Sequence, residues 1–360
     1  MTDPRLERYA ELLLETCLGV QPGWQVMVWS TPWARPLVEE VLEQLGERGA
    51  YPLLRLTFSG GLVYHRAWLR HAPLAVISEP AAVDVHALEH CDAILAIAAP
   101  ENTRDGADIA SERHSAVEDA YRTATARLHR NEVPWLMCFY PTPALAQDAG
   151  MTLPAFEDFL YNACLVDWDA EHRRISRYAR LFNEADEVRI VGEGTDLRLS
   201  VAGRQTEVDA GFGNMPGGEF YACPVETSAE GTIAFTEFPA VRGGRELRAV
   251  RLRFSEGRVV DASAETEEGF LLETLDTDEG ARRIGELGIG CNPGIDRYMA
   301  NVYFDEKMNG TVHVALGLGF EHVGGTNRSA IHWDIVKDMR AGGRIELDGR
   351  VVQEDGVWSV

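Results

Sequence analysis

The run Gln25-Val26-Met27-Val28-Trp29, then a helical stretch at 36–45 with proline at its start, then a second strand-like run at 51–58, decides the fold of the first half of this chain. A short apolar run, an amphipathic helix and another short run read as a β-α-β unit. Apolar residues at helical spacing over 5–18 place a helix before it, and two further apolar runs, at 91–98 and 133–140, flank a polar helical stretch at 105–130. Alternation of this kind is satisfied by a mostly parallel sheet covered by helices, so the first half is expected to be an α/β domain.

Glycine marks where that pattern stops. Residues 1–185 hold 8 of the 34 glycines and residues 186–360 the other 26. From 186 the chain reads as short strands joined by glycine turns, at 187–191, 197–201, 231–235, 246–254, 259–265, 311–316 and 330–336. One helix is expected among them, at 278–287, with acidic residues in its first turn and Gly288 just past its end. The organisation predicted is thus an α/β domain at 1–185 and a glycine-rich α+β domain at 186–360, and 360 residues suit two cores better than one.

Composition narrows the function. With 45% apolar and 25% charged residues the chain can bury a core, and no apolar run approaches the ~18 residues of a membrane span. The N-terminal residues lack the basic flank and apolar stretch of a secretion signal, so a cytoplasmic protein is expected. Acidic residues outnumber Lys plus Arg by 57 to 34, a net charge of −23 that disfavours nucleic acid and anionic membranes and favours cations. Six scattered cysteines with no Cys-x-x-Cys pair indicate neither a thiolate metal site nor a disulfide framework. No phosphate-binding glycine loop follows a predicted strand; Ser59-Gly60-Gly61 reads as a simple turn. Only Lys307 and Lys337 of the 34 basic residues are lysines.

Seven of the ten histidines, at 65, 71, 86, 90, 114, 129 and 172, sit among polar or helical segments and read as surface residues. The remaining three, His313, His322 and His332, fall close together in the strand-rich half. In Ile331-His332-Trp333-Asp334-Ile335 a strand puts His332 and Asp334 on one face and the apolar residues on the other. Such a pair fits a metal-site fragment, a proton-transfer pair, or an Asp that merely orients a His. His313 lies in an apolar strand, where a core histidine is the plain alternative. Glu219 follows a loop, Met215-Pro216-Gly217-Gly218, expected to expose backbone, and Glu286 falls in the last turn of the expected 278–287 helix. Together Glu219, Glu286, His313, His332 and Asp334 offer three carboxylates and two imidazoles, a set suited to Zn, Co or Mn. Five ligands with a bridging carboxylate can hold two divalent ions ~3.5–4 Å apart, the arrangement that activates water against an amide carbonyl. Spacing alone leaves their convergence open.

These residues lie in blocks that resemble the aminopeptidase T / aminopeptidase S family, the thermophilic-type leucyl aminopeptidases. The blocks are Asn214-Met215-Pro216-Gly217-Gly218-Glu219, the run from Glu286 through Gly288, Gly290 and Asn292 to Gly294, Asp305-Glu306-Lys307 with the strand up to Gly317, and Ser329-Ala330-Ile331-His332-Trp333-Asp334. The resemblance implies a dinuclear metal site on Glu219, Glu286, His313, His332 and Asp334. It also implies an N-terminal α/β domain, a site-bearing C-terminal domain, homodimer assembly and removal of N-terminal residues from peptides. Glu219, or else Glu286, is the expected proton carrier in catalysis.

One departure stands out: the family has a tyrosine seven residues after the first ligand histidine, and here that position is Phe320. The missing phenol could cost ~2–4 kcal/mol if it serves as an oxyanion donor; His322 is a nearby substitute, or else a solvated loop residue. The segment between Phe320 and His332 is also shorter than in the longer members. Two other readings follow. Ring-opening dihydroxypyridine dioxygenases resemble the same family, with a histidine at the position of Glu286 and no carboxylate at that of Glu219, and a two-His, one-carboxylate iron site could be met by His313, His332 and Asp334. A non-catalytic metal-binding relative is the third, and Phe320 is its support.

Overall fold

A computed structural model describes residues 3–58, 64–130 and 132–359; the Ser59-Gly60-Gly61 turn lies outside them. Close contacts divide the chain into two units, Met1–Leu165 with Gly211–Pro216, and Val166–Ala210 with Gly217–Val360.

The first unit is the expected parallel sheet. Strands Gln25–Ser30, Tyr51–Leu56, Ala93–Ala98 and Trp135–Phe139 pair in parallel, with Gln25–Ser30 between the second and third, and the short strand Gly213–Met215 closes one edge. Gln25–Ser30 and Ala93–Ala98 are almost wholly buried, as inner strands covered on both faces must be. Tyr51–Leu56 is the opposite edge and is exposed along most of its length.

The second unit is antiparallel. An eight-stranded sheet and a five-stranded sheet contribute to one hydrophobic cluster, together with the helix Trp168–Asn183, whose Ile175, Tyr178, Ala179 and Phe182 join it. That helix explains why the break falls at Leu165 and not at 185: its sequence looks like another α/β helix, but its apolar stripe is buried by strands that follow it.

Two local expectations are corrected. No helix spans 278–287. Asp278 does cap a turn, its Oδ1 accepting from the Ala281 N–H, but the turn is a single 3-10 piece, Gly280–Arg282, followed by the strand Ile284–Gly290. Glu286 therefore sits mid-strand, and Gly288 is a strand residue instead of a helix stop. The helix in this region is Glu268–Leu275, which the sequence reading passed over. Gly217 and Gly218 before Glu219 are buried instead of exposing backbone: Gly218 N–H donates to Asp209 O, Gly218 O accepts from Cys291 N–H, and Gly217 O accepts from Asn292 Nδ2.

Among the described residues no helix is long and apolar enough to cross a membrane. Five of the six cysteines are buried, and Cys17 is half-buried. Of the seven histidines read as surface residues, five are exposed, His114 is half-buried against Tyr64, and the His129 side chain lies outside the described set.

Candidate metal centre

The five-stranded sheet runs in the order of strands His332–Asp338, Thr311–Gly317, Ile284–Gly290, Glu219–Ala222 and Glu207–Asp209, all antiparallel. Directly opposed residues of an antiparallel pair share a face, and alternate residues of a strand share a face. Phe220, Leu287, Ile289, Val312, Val314, Leu316, Trp333 and Ile335 take the side facing the hydrophobic cluster. Glu219, Glu286, His313, His332 and Asp334 all fall on the other side: Glu219 is opposite Gly290, His313 opposite Gly288, Ala315 opposite both Glu286 and Asp334, and His332 opposite Gly317.

Glu286 shares that face by plain alternation with Gly288 and Gly290, and a bulge lies just before it. Ile284 pairs with Leu316 and Glu286 with Ala315, so Gly285 is an extra residue that inverts the alternation. Only glycine fits there, because a Cβ would run into the backbone oxygens of Gly317 and Leu318. The bulge turns Ile284, two residues before Glu286, to the apolar cluster instead of the ligand face.

The five side chains converge. His313 Nε2 lies 3.0 Å from Glu286 Oε1 and 3.4 Å from Glu219 Oε2; His332 Nε2 lies 3.4 Å from Glu286 Oε2 and 3.5 Å from Asp334 Oδ1. Both imidazoles are oriented from behind, each Nδ1–H donating to a backbone carbonyl, His313 to Glu306 O at 3.1 Å and His332 to Leu318 O at 2.9 Å. That tautomer leaves each Nε2 to act as a ligand atom. Two groups of three residues bring ligand atoms within 4.8 Å of one another: Glu219, Glu286 and His313, and Glu286, His332 and Asp334. Glu286 belongs to both.

The five side chains are strongly coupled electrostatically. Burial pushes the Glu286 carboxyl up, but His313 and His332 more than offset this and hold it at about 2. Burial pulls both imidazoles down, yet the carboxylates raise His313 to about 10 and His332 to about 12. The Glu219 carboxyl is raised, burial outweighing Lys307 and His313, and its Oε2 is buried with no hydrogen bond. A buried Glu219 Oε2 with no hydrogen-bond partner, 3.4 Å from His313 Nε2 on a face with three carboxylates, fits a set completed by a cation.

Sequence reading missed the layer beneath Glu219. Lys307, fully buried, places Nζ 2.9 Å from Glu219 Oε1, 2.6 Å from Glu306 Oε1 and 3.6 Å from Asp209 Oδ2. Burial raises Glu306 to about 7 against the pull of Lys307. The signal available was lysine scarcity: both lysines of the chain are buried, Lys337 donating to Ala234 O and Glu237. Phe320 packs its ring 5.0 Å from His332 and 5.6 Å from Tyr221. His322 is 44% exposed yet not simply solvated, since its Nε2 is 2.6 Å from Glu207 Oε2 and 3.2 Å from the Tyr221 hydroxyl.

A carboxylate–imidazole cluster on one face of an antiparallel sheet, in a chain that also holds a parallel α/β unit, defines a candidate metal-dependent hydrolase. The profile of the family described as thermophilic metalloprotease (M29) matches residues 2–358, and the chain belongs to that family: it is a peptidase with a divalent metal cofactor. It is 27% identical to Aminopeptidase 2 of Geobacillus stearothermophilus over 88% of this chain and 84% of that protein. Its fold matches wild-type AmpT of Thermus thermophilus with a TM-score of 0.85 and 21% identity, covering 99% of both chains. A 2,5-dihydroxypyridine dioxygenase of Pseudomonas putida shares the fold more loosely, with a TM-score of 0.67 and 15% identity over 99% of this chain and 97% of that one.

Proposed function

We propose that the protein is an aminopeptidase that removes N-terminal residues from peptides at a centre of two divalent ions, Zn, Co or Mn, held by Glu219, Glu286, His313, His332 and Asp334. The observation that carries this reading is the membership of Glu286 in both ligand groups, the arrangement a bridging carboxylate requires. The name of the Geobacillus relative supports cleavage at a free N-terminus. Ions bound there would acidify a water and polarise the scissile carbonyl.

The chain's own residues do the rest. The acidic face receives the substrate's α-ammonium. Glu219 carries the proton from water to the leaving amine: its Oε2 has no hydrogen-bond partner, whereas both Glu286 oxygens lie against imidazole nitrogens. Homodimer assembly belongs to the same proposal, supported by the exposed edge strand Tyr51–Leu56, where Tyr51, Leu53, Leu54 and Leu56 face solvent.

The test uses metal-stripped protein reloaded with Zn, Co, Mn or Fe(II), aminoacyl chromogenic substrates, and the same substrates N-acetylated. Two ions per chain and metal-dependent release from the free amines alone are expected, with both ions lost in Glu286→Gln and one in Asp334→Asn. Full metal content and full activity in Glu219→Gln and His332→Ala would remove the site assignment. A single bound iron with oxygen uptake on aromatic diols would replace it with the dioxygenase reading.

A further inference from the structure

Beside the five ligand candidates, the same face of the sheet carries three groups that the reaction above leaves unused. Tyr221 is two residues from Glu219 on its strand and so shares its face, and Glu207 lies opposite Tyr221 on the edge strand. The Tyr221 hydroxyl is 3.2 Å from His322 Nε2, and that nitrogen is 2.6 Å from Glu207 Oε2.

The short contact assigns the proton. At 2.6 Å a carboxylate oxygen repels a nitrogen lone pair, so the single Nε2–H points at Glu207, and the protonated nitrogen offers the phenol 3.2 Å away no lone pair to donate to. Tyr221 therefore keeps its own O–H uncommitted to His322. Tyr221 stands opposite Gly288, itself opposite His313, and its ring packs 5.6 Å from Phe320, which in turn lies 5.0 Å from His332, so the phenol ring borders the ligand set. Tyr221 is half-buried, while His322 and Glu207 are about half-exposed, so this edge of the face is open to a substrate.

Other donors on this face are spent. The Lys307 ammonium lies among three carboxylates, and both ligand imidazoles give Nδ1–H to backbone carbonyls. A developing oxyanion needs a preset donor in a site otherwise lined by acceptors.

We propose that the Tyr221 phenol is that donor, hydrogen-bonding the carbonyl oxygen of the scissile bond as it gains charge, with His322 and Glu207 as positioning residues: the carboxylate holds the imidazole, and the imidazole packs edge-on against the phenol ring. The phenol keeps its proton throughout. The inference rests on the aminopeptidase reading.

The test compares the parent enzyme with Tyr221→Phe, a change of one oxygen atom. Metal content by elemental analysis is expected to be equal, kcat to fall about 10²-fold and KM to hold, the pattern of a donor used mainly in the transition state. A second readout needs no turnover: calorimetric affinity for an aminoalkylphosphonate, a tetrahedral mimic of the adduct, falls by a similar factor in Tyr221→Phe, while affinity for the product amino acid does not change. His322→Ala, with the phenol present but unanchored, loses part of kcat and part of the phosphonate affinity and retains the metal. Unchanged kcat and unchanged phosphonate affinity in Tyr221→Phe overturn the donor assignment and leave the aminopeptidase intact. A metal-loaded parent that neither cleaves aminoacyl substrates nor binds the phosphonate overturns both.

Discussion

Gly288→Ala isolates the packing that aims His313. Gly288 lies opposite His313 on the ligand face, and a Cβ built on it stands 2.8 Å from His313 Cδ2 and closer still to Nε2 and Cε1, at roughly half a normal contact distance for the nearest. Relief requires the imidazole to retreat by about 1.5 Å if carbon contacts are to return to ~3.5 Å. His313 has no room for this: it is fully buried, with Nδ1 on Glu306 O and Nε2 against Glu286. Overpacking of this kind costs about 1–3 kcal/mol of stability, and an ångström of misplacement in a catalytic constellation costs about 10² in rate. Gly288→Ala is therefore expected to lose metal on dialysis, to lose about two orders of magnitude in turnover, and to melt lower. Gly269→Ala is the control, since a helical glycine with no atom within 4 Å of its built Cβ gains about 0.5–1 kcal/mol from alanine. Metal content by elemental analysis, aminoacyl substrate turnover and a thermal melt read all three effects. A Gly288→Ala enzyme with full metal and full turnover would refute the account of the site.

Three further outcomes follow from the same structure. In the metal-free protein His313 and His332 are raised to about 10 and about 12 from an ordinary value of 6.5. Their ion pairs thus contribute stability that is fully present below about pH 6.5 and lost as pH rises through those values. Ligation needs neutral imidazoles, so metal loading at pH 8 releases about two protons per chain, read with an indicator dye in weak buffer; no release contradicts the ligand assignment. Lys307→Met leaves Glu219, Glu306 and Asp209 without their buried counter-charge and is expected to cost about 3–5 kcal/mol in urea unfolding, with Lys307→Arg failing to restore it; an unchanged midpoint argues that the layer is not structural. Leu54→Glu on the exposed edge strand halves the mass in light scattering if that strand joins two copies, and an unchanged dimer places the interface elsewhere.

The α/β first unit was legible because buried parallel strands are written as continuous apolar runs, and 25–29, 91–98 and 133–140 are such runs. The pairing of His332 with Asp334 was legible for the same local reason, a period of two. Glu286 was not: Asp278 and the acidic residues after it carry a helix-start signal, and the competing cause, glycine at 285 and 288, acts only through atoms of other strands. The helix Trp168–Asn183 was not read from the sequence, and the unit it belongs to is decided by strands that bury its stripe and come later in the chain.

By itself the sequence determined the element types of most strands, the acidic balance, and five residues of the right chemistry. The antiparallel register decided that those five share a face, one bulge at Gly285 decided that Ile284 turns to the apolar cluster while Glu286 faces the ligands, and burial decided that two rare lysines are structural. The division has a physical basis: side-chain alternation is a property of one strand, whereas register, bulges and the space left by a missing Cβ are properties of pairs of strands far apart in the chain.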